Sequence, residues 1–281
     1  MRRRLIVPAV MMGSLALMAV HAFAQAKEVT NGRVGCPQCV NDGSTISLLL
    51  QRADRLYALF KTREALEELQ KVLQLDGQNA EALSKISRVY IAFGDAIPES
   101  TPDWKEKRVQ QYQVAEQYAR KAVTAGPGVT WGHFYVAASL GEIAMLSSIP
   151  KQIDLSREIQ TEVEKAIALD PNNGFAYHLY GVWHRKLAEI GKMSRTVASI
   201  LWSTIPEGSV EKSQEYLNKA VALNPTVIVH RLELAKTYIA LGKWQLARRS
   251  LKIAEELPTQ FSDDPLNKKE AAKILQEING R

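Results

Sequence analysis

The chain has 281 residues, 46% hydrophobic and 23% charged, with a formal net charge of +6. That is enough apolar material for a sizeable core in one large domain or two small ones, and no long charge block marks a disordered tail. Setting aside Arg2, Arg3 and Arg4, which belong to a leader described next, leaves 33 of the 36 basic residues against 30 acidic ones. That near balance argues against nucleic acid as a partner.

Residues 1–24 read as a signal peptide. Arg2–Arg4 form a basic start, Leu5 to Val20 is almost wholly apolar, and Ala22-Phe23-Ala24 supplies small residues for cleavage after Ala24. The expected mature chain is exported to the periplasm or beyond, soluble, with no further transmembrane span. The N-terminal segment 25–45 carries Cys36-Pro37-Gln38-Cys39. In an oxidising compartment that pair is expected to form a local disulfide. A thioredoxin-like thiol would need a strand-helix-strand setting that the pattern lacks. Haem attachment would need histidine where Val40 stands, and zinc would need four ligands. A thiol–disulfide or envelope-stress role through Cys36 and Cys39 is the alternative function.

From residue 46 to 258 one interval recurs: two small or modest residues seven apart, then a helix stop five on. It is carried by Ala65, Val72 and Gly77; Ala115, Ala122 and Pro127; Ile159, Ala166 and Pro171; and Ser213, Ala220 and Pro225. Ala247 and Ala254 repeat it, with Pro258 one residue early. After each stop a second pattern pairs a small residue with a larger one three on: Ser87 with Tyr90, Ala137 with Leu140, Gly181 with His184, Ala235 with Tyr238. Two antiparallel helices per unit, small residues at the crossing and a breaker between units form the tetratricopeptide pattern. The predicted fold is all-α, a tetratricopeptide-like superhelix of about five hairpins. Gly181 is expected at a helix crossing, and Gly94 and Gly242 in the turns inside hairpins.

From Gly77 to Pro225 the stops are 44 to 54 residues apart where a plain unit takes about 34. The excess is expected inside the hairpins, with helix starts at Thr101-Pro102-Asp103 and at Pro150. The largest insertion, 187–208, carries the apolar set Val197, Ile200, Leu201 and Ile205 and is expected to pack on the core or to serve as a contact knob. Asp263-Asp264-Pro265 then starts a capping helix within 259–281, closed near Gly280. His178 and His184 stand six apart, on different helix faces, and make no metal-type pair. No catalytic constellation or phosphate loop can be assembled, so the reading is no enzyme, no cofactor and no metal.

Three stretches carry a family resemblance: EKAIALDPNNGFAYHLYGVWHRKLAEI, STIPEGSVEKSQEYLNKAVALNP and RLELAKTYIALGKWQLARRSLKIAEELP. With the uneven repeat spacing, they resemble the regulator of microtubule dynamics family from about residue 60 onward. The resemblance implies a tetratricopeptide-like all-α fold and, for eukaryotic members, association with microtubules, mitochondria and membrane contacts. An export leader and the Cys36–Cys39 pair are departures from it.

In such a superhelix the first helix of each hairpin lines the concave side. Helical spacing then directs Trp131, Phe134, Phe175, His178, Val182, Arg185, Val229, Leu232 and Lys236 inward, with Lys186 beside them. The expectation is an apolar groove edged by positive charge, suited to a protein or extended peptide partner, or to an acyl chain with an acidic group. Function is read as a binding scaffold of the cell envelope.

Overall fold

The computed structural model describes residues 42–189 and 206–280, and among them the chain forms eleven helices and no strand. They pair as hairpins: α1 (Asp42–Ala58) with α2 (Thr62–Leu75), and α3 (Ala80–Asp95) with α4 (Trp104–Ala125). Next come α5 (Thr130–Met145) with α6 (Ile149–Leu169), and α7 (Gly174–Glu189) with α8 (Val210–Leu223). Last are α9 (Ile228–Ala240) with α10 (Trp244–Glu256), and a final α11 (Asp264–Glu277). Five hairpins and a terminal helix make the predicted tetratricopeptide-like solenoid. The insertion residues 190–205 and the segment holding Cys36 and Cys39 lie outside the described residues.

Short-range chemistry sets the joints between hairpins. Asp170 Oδ1 accepts from the Asn172 amide at 3.0 Å, and Asn173 Oδ1 accepts from the Phe175 and Ala176 amides at 3.1 Å, capping α7. The first joint repeats the device: Asp76 Oδ1 accepts from the Gln78 amide at 3.2 Å, and Asn79 Oδ1 accepts from the Ala82 amide at 3.0 Å. Such caps satisfy amides that a helix start leaves without partners, worth about 1 kcal/mol each.

Small residues set the crossings. A Cβ on Gly181 would lie 2.6 Å from Leu217 Cγ, so α7 meets α8 there as the sequence predicts. Gly94 corrects an expectation. It lies inside α3, not in a turn, and a Cβ there would lie 2.4 Å from the Tyr112 ring. Its role is to let Tyr112 cross. The excess length of the second hairpin divides between residues 96–103 and the 22-residue α4, which starts at Trp104, later than Thr101-Pro102 suggests. Pro150 does sit in the first turn of α6.

The main core runs from Leu50 on α1 through Ile86, Phe134, Leu179 and Val229 on the successive first helices. A second cluster joins α9, α10 and α11 through Ile228, Leu251 and Ala271. One residue between α10 and α11 belongs to the main core instead: Phe261, 4% exposed. The non-helical segment leading to α11 therefore reaches back over the first helices. α5 and α7 are buried almost all round, where an open solenoid would leave one face bare, and Phe261 contributes to this through its contact with Phe175 of α7.

The turns inside the first and last hairpins are copies, read as Ala58-Leu59-Phe60-Lys61 and Ala240-Leu241-Gly242-Lys243. Gly242 takes φ +70, and the Gly242 and Lys243 amides donate to the carbonyls of Ile239 and Tyr238. Phe60 takes φ 59, with its amide and that of Lys61 donating to Tyr57 and Leu56 in the same pattern. A left-handed backbone costs an L residue about 1–2 kcal/mol, while glycine's looser unfolded chain costs about 0.5–1 kcal/mol. Phe60→Gly is therefore expected to stabilise the fold by about 0.5–1 kcal/mol, read as a higher denaturant midpoint at unchanged slope.

Candidate functional site

The inner face is built from the first helices α1, α3, α5, α7 and α9. The structure corrects the open groove expected there. Phe134, Phe175, His178, Val182, Arg185, Val229 and Leu232 are buried, and Trp131 is half-buried with its ring edge-on to Phe134 at 5.4 Å. Phe175 packs between His230, at 5.0 Å between ring centres, and Phe261, at 6.4 Å. Phe261 of the α10–α11 segment covers Phe175, Val182 packs with Leu217 and Leu234, and Arg185 is taken up by Glu233; sequence periodicity does not register the α10–α11 segment because it has none.

The positive edge is also spent internally. Arg185 pairs with the buried Glu233 and, at 2.9 Å, with Glu189. Lys236 reaches Glu233 at 2.7 Å and Glu270 on α11 at 2.8 Å, and Lys186 lies 3.5 Å from Glu189. Burial alone would raise the Glu233 carboxyl, but Lys236 and Arg185 override it and hold it at about 2. One turn away, His178 and His230 share a hydrogen bond between their Nδ1 atoms at 2.9 Å. Loss of water depresses His178 to about 4, with Arg185 and Lys236 adding to the effect and Glu233 opposing it. His184 is packed, stacked against Tyr216 at 5.4 Å.

A second polar region lies where the α10–α11 segment meets the first three hairpins. Asp263 is buried and feels Tyr57 of α1, Asp95 of α3 and Glu142 of α5. Burial pushes its carboxyl up to about 7; Asp264 and Asp95 push the same way, and a hydrogen bond from Asn267 Nδ2 at 2.6 Å opposes them. Burial, then Asp95, also lift Glu142 well above the usual carboxylate range, against the pull of Arg108. Tyr112 donates to Asp95 Oδ1 at 2.6 Å, and Arg108 directs Nε and Nη2 to the Ile97 carbonyl at 3.0 and 2.7 Å. Among the described residues no group of three or more metal-ligating side chains is arranged to hold a metal ion.

An open cleft of about 1030 Å³ lies beside the first hairpin, between α2 and the end of α3. Its apolar lining comes from Phe60, Leu66, Phe93 and Ile97, with Lys61 and Arg63 at the rim. Phe60 is 55% exposed and Leu59 66% exposed. Nothing in the repeat pattern points to it, although setting the two Ala-Leu-x-Lys turns side by side exposes Phe60 as the odd residue.

The family described as Regulator of microtubule dynamics protein 1-3 matches residues 49–279. The chain belongs to that family. Regulator of microtubule dynamics protein 1 of Bos taurus is 28% identical over 237 residues, covering 84% of this chain and 73% of that protein. Regulator of microtubule dynamics protein 3 of Xenopus laevis is 27% identical over 236 residues, covering 83% of this chain and 49% of that protein. Solved structures give the same fold. A thermophilic TPR protein of Thermus thermophilus superposes with TM-score 0.60 at 16% identity, over 81% of this chain and 99% of that one. PilF of Pseudomonas aeruginosa gives 0.52 at 14% identity, over 85% and 87%.

Two outcomes follow for this member of the family. Phe175→Ala removes a ring enclosed by His230 and Phe261 and is expected to cost about 3–5 kcal/mol in denaturant unfolding. For Asp263 the folded chain holds its proton to higher pH than the unfolded chain does. The folded state is thus favoured below about pH 4 and loses that advantage as the pH rises to about 7, beyond which the loss is constant. Asp263→Asn, which keeps an acceptor for Asn267, is expected to match the wild type near pH 4 and to exceed it by about 2–4 kcal/mol near pH 8. Denaturant midpoints at the two pH values check this.

Proposed function

We propose that the protein is a non-enzymatic interaction scaffold that presents a helical-hairpin surface to a protein or peptide partner. The observation that carries this reading is Phe60. Its backbone sits in a conformation suited to glycine, with the ring turned out over one end of a cleft that also offers Leu66, Phe93 and Ile97. Strain kept at an exposed aromatic is typical of a contact residue, since a folded chain gains nothing from it alone. Aromatic side chains at the edge of a concavity bury much area on binding at small entropic cost. An acyl chain with an acidic group fits less well, because Arg185, Lys186 and Lys236 already hold carboxylates.

The leader features at Arg2–Arg4, Leu5–Val20 and Ala22-Phe23-Ala24 support a periplasmic or secreted location, with Cys36 and Cys39 joined there. Thiol titration and N-terminal sequencing of the mature protein test both points. A second reading is favoured by the family match: contact with microtubules, as the relatives' names state of them. It requires that residues 1–24 stay attached and that the chain remain in the compartment where tubulin is found.

Cross-linked recovery of partners from native envelope, comparing wild type with Phe60→Gly, tests the scaffold reading. Because that change is expected to raise stability, a fall in partner recovery of about tenfold reads binding alone. Equal recovery by the two proteins removes the cleft from the proposal.

A further inference from the structure

The α2 edge of the cleft beside the first hairpin carries Phe60 just ahead of the helix, then Arg63, Leu66 and Glu67, then Gln70. Steps of three and four residues keep these on one stripe of the helix. The buried Ala65 stands midway in the sequence, between Phe60 and Gln70 and between Arg63 and Glu67. Phe60 is 55% exposed at one end of the stripe, and Gln70 is exposed at the other. The stripe thus has a ring at one end only.

The charges along the stripe are opposite in sign and unpaired. Among the described residues neither Arg63 nor Glu67 takes part in an ion pair, and both are exposed. Lys61 and Glu64, the other charged residues of the lining, lie 3.2 Å apart and serve each other. The lining therefore carries two basic and two acidic residues and no net charge. A wholly acidic peptide would set its charge against Glu67, and a wholly basic one against Arg63, and like charges brought together disfavour binding. The fitting partner presents an acidic group to Arg63, a basic group to Glu67 and an apolar side chain to the Gln70 end. The chain's own stripe, read in reverse, has that content: Glu67, Arg63, Phe60. Across a twofold axis at the level of Ala65, Arg63 of one copy lies opposite Glu67 of the other, and Phe60 lies opposite Gln70.

We propose, resting on the reading of this cleft as a contact surface, that its occupant is a second copy of the chain, with the two α2 helices packed antiparallel about a twofold axis at Ala65. Arg63 and Glu67 then form two equivalent ion pairs, and each Phe60 covers the Gln70 end of the other copy's cleft. The rings supply the apolar burial. The ion pairs stay at the rim, where such pairs contribute little affinity but set the register and exclude other partners. The left-handed backbone at Phe60 turns the ring outward, where the pair of chains uses it.

Sedimentation of the full chain between about 1 and 300 μM reads the association directly, with circular dichroism checking the fold of each variant. Wild type is expected to form a dimer in that range, and Phe60→Gly to weaken it about tenfold or more. Arg63→Glu sets acidic groups against each other across the axis and Glu67→Lys sets basic ones, so each alone is expected to weaken the dimer about tenfold or more. Mixed together, the two charge variants are expected to pair with each other about as tightly as wild type pairs with itself, since every acidic group then faces a basic one. That exchange reads the contact independently of Phe60. A wild type that stays monomeric up to about 300 μM, a dimer indifferent to any one of the three substitutions, or charge variants that do not recover association on mixing overturns the proposal. A monomeric wild type with Phe60-dependent recovery of another protein from the envelope leaves the scaffold reading standing with a different occupant in the cleft. A dimer lost in Phe60→Gly with envelope recovery unchanged keeps the self-contact and takes the cleft away from other partners.

Discussion

Closure of the inner face by Phe261 is the contact on which the rest of the structure depends. Helical hairpins stacked side by side leave their first helices covered on one side only. Here those helices carry Phe134, Phe175, Tyr135 and Leu179, too much apolar surface to stay in water. Burying one aromatic ring is worth about 1.5–3 kcal/mol, and Phe261 also completes the burial of the rings it touches. Once the face is closed, polar groups on it must pair internally, and the Arg185–Glu233–Lys236–Glu270 chain and the His178–His230 bond are the result.

The repeat architecture is legible in the sequence because its signals are local. A stop such as Asp170-Pro171-Asn172-Asn173 contains both the break and the next cap, and Gly181 marks a crossing by lacking a side chain. Gly94 shows the limit of that logic: the same residue type serves turn and crossing alike, and only the approach of Tyr112 distinguishes them. Helical spacing gives the inward direction of Phe175 and His178. It does not give their burial, because the covering segment is some eighty residues away in sequence and follows no period. An inward-pointing residue and a surface residue therefore look alike until the cover is seen. Phe60 escapes for a different reason, since a side chain held at positive φ leaves no mark in a hydrophobic pattern.

Two buried polar regions set opposing responses to proton concentration. The histidines resist protonation inside the fold, so acidification from about pH 6.5 towards pH 4 favours unfolding, where imidazole can charge in water. The Asp263 and Glu142 region behaves oppositely, losing ground as the pH rises over much of the same range. The first lies between α7 and α9 and the second between the first three hairpins and the approach to α11. Stability therefore varies less with pH than either region would dictate alone, while the two halves of the inner face loosen under different conditions.

The position of Phe261 also bears on how the chain acquires its structure. An open array of repeats can grow from any point, each hairpin docking on a finished neighbour. In this chain the main core lacks Phe261 until residues near 261 have arrived, so a polypeptide emerging from its N-terminus carries bare aromatic surface until then. Contacts between distant parts of the sequence slow the search for the folded state. Residues far along the chain thus decide when the early hairpins are finished, and until then those hairpins are open to chaperones and to proteases alike.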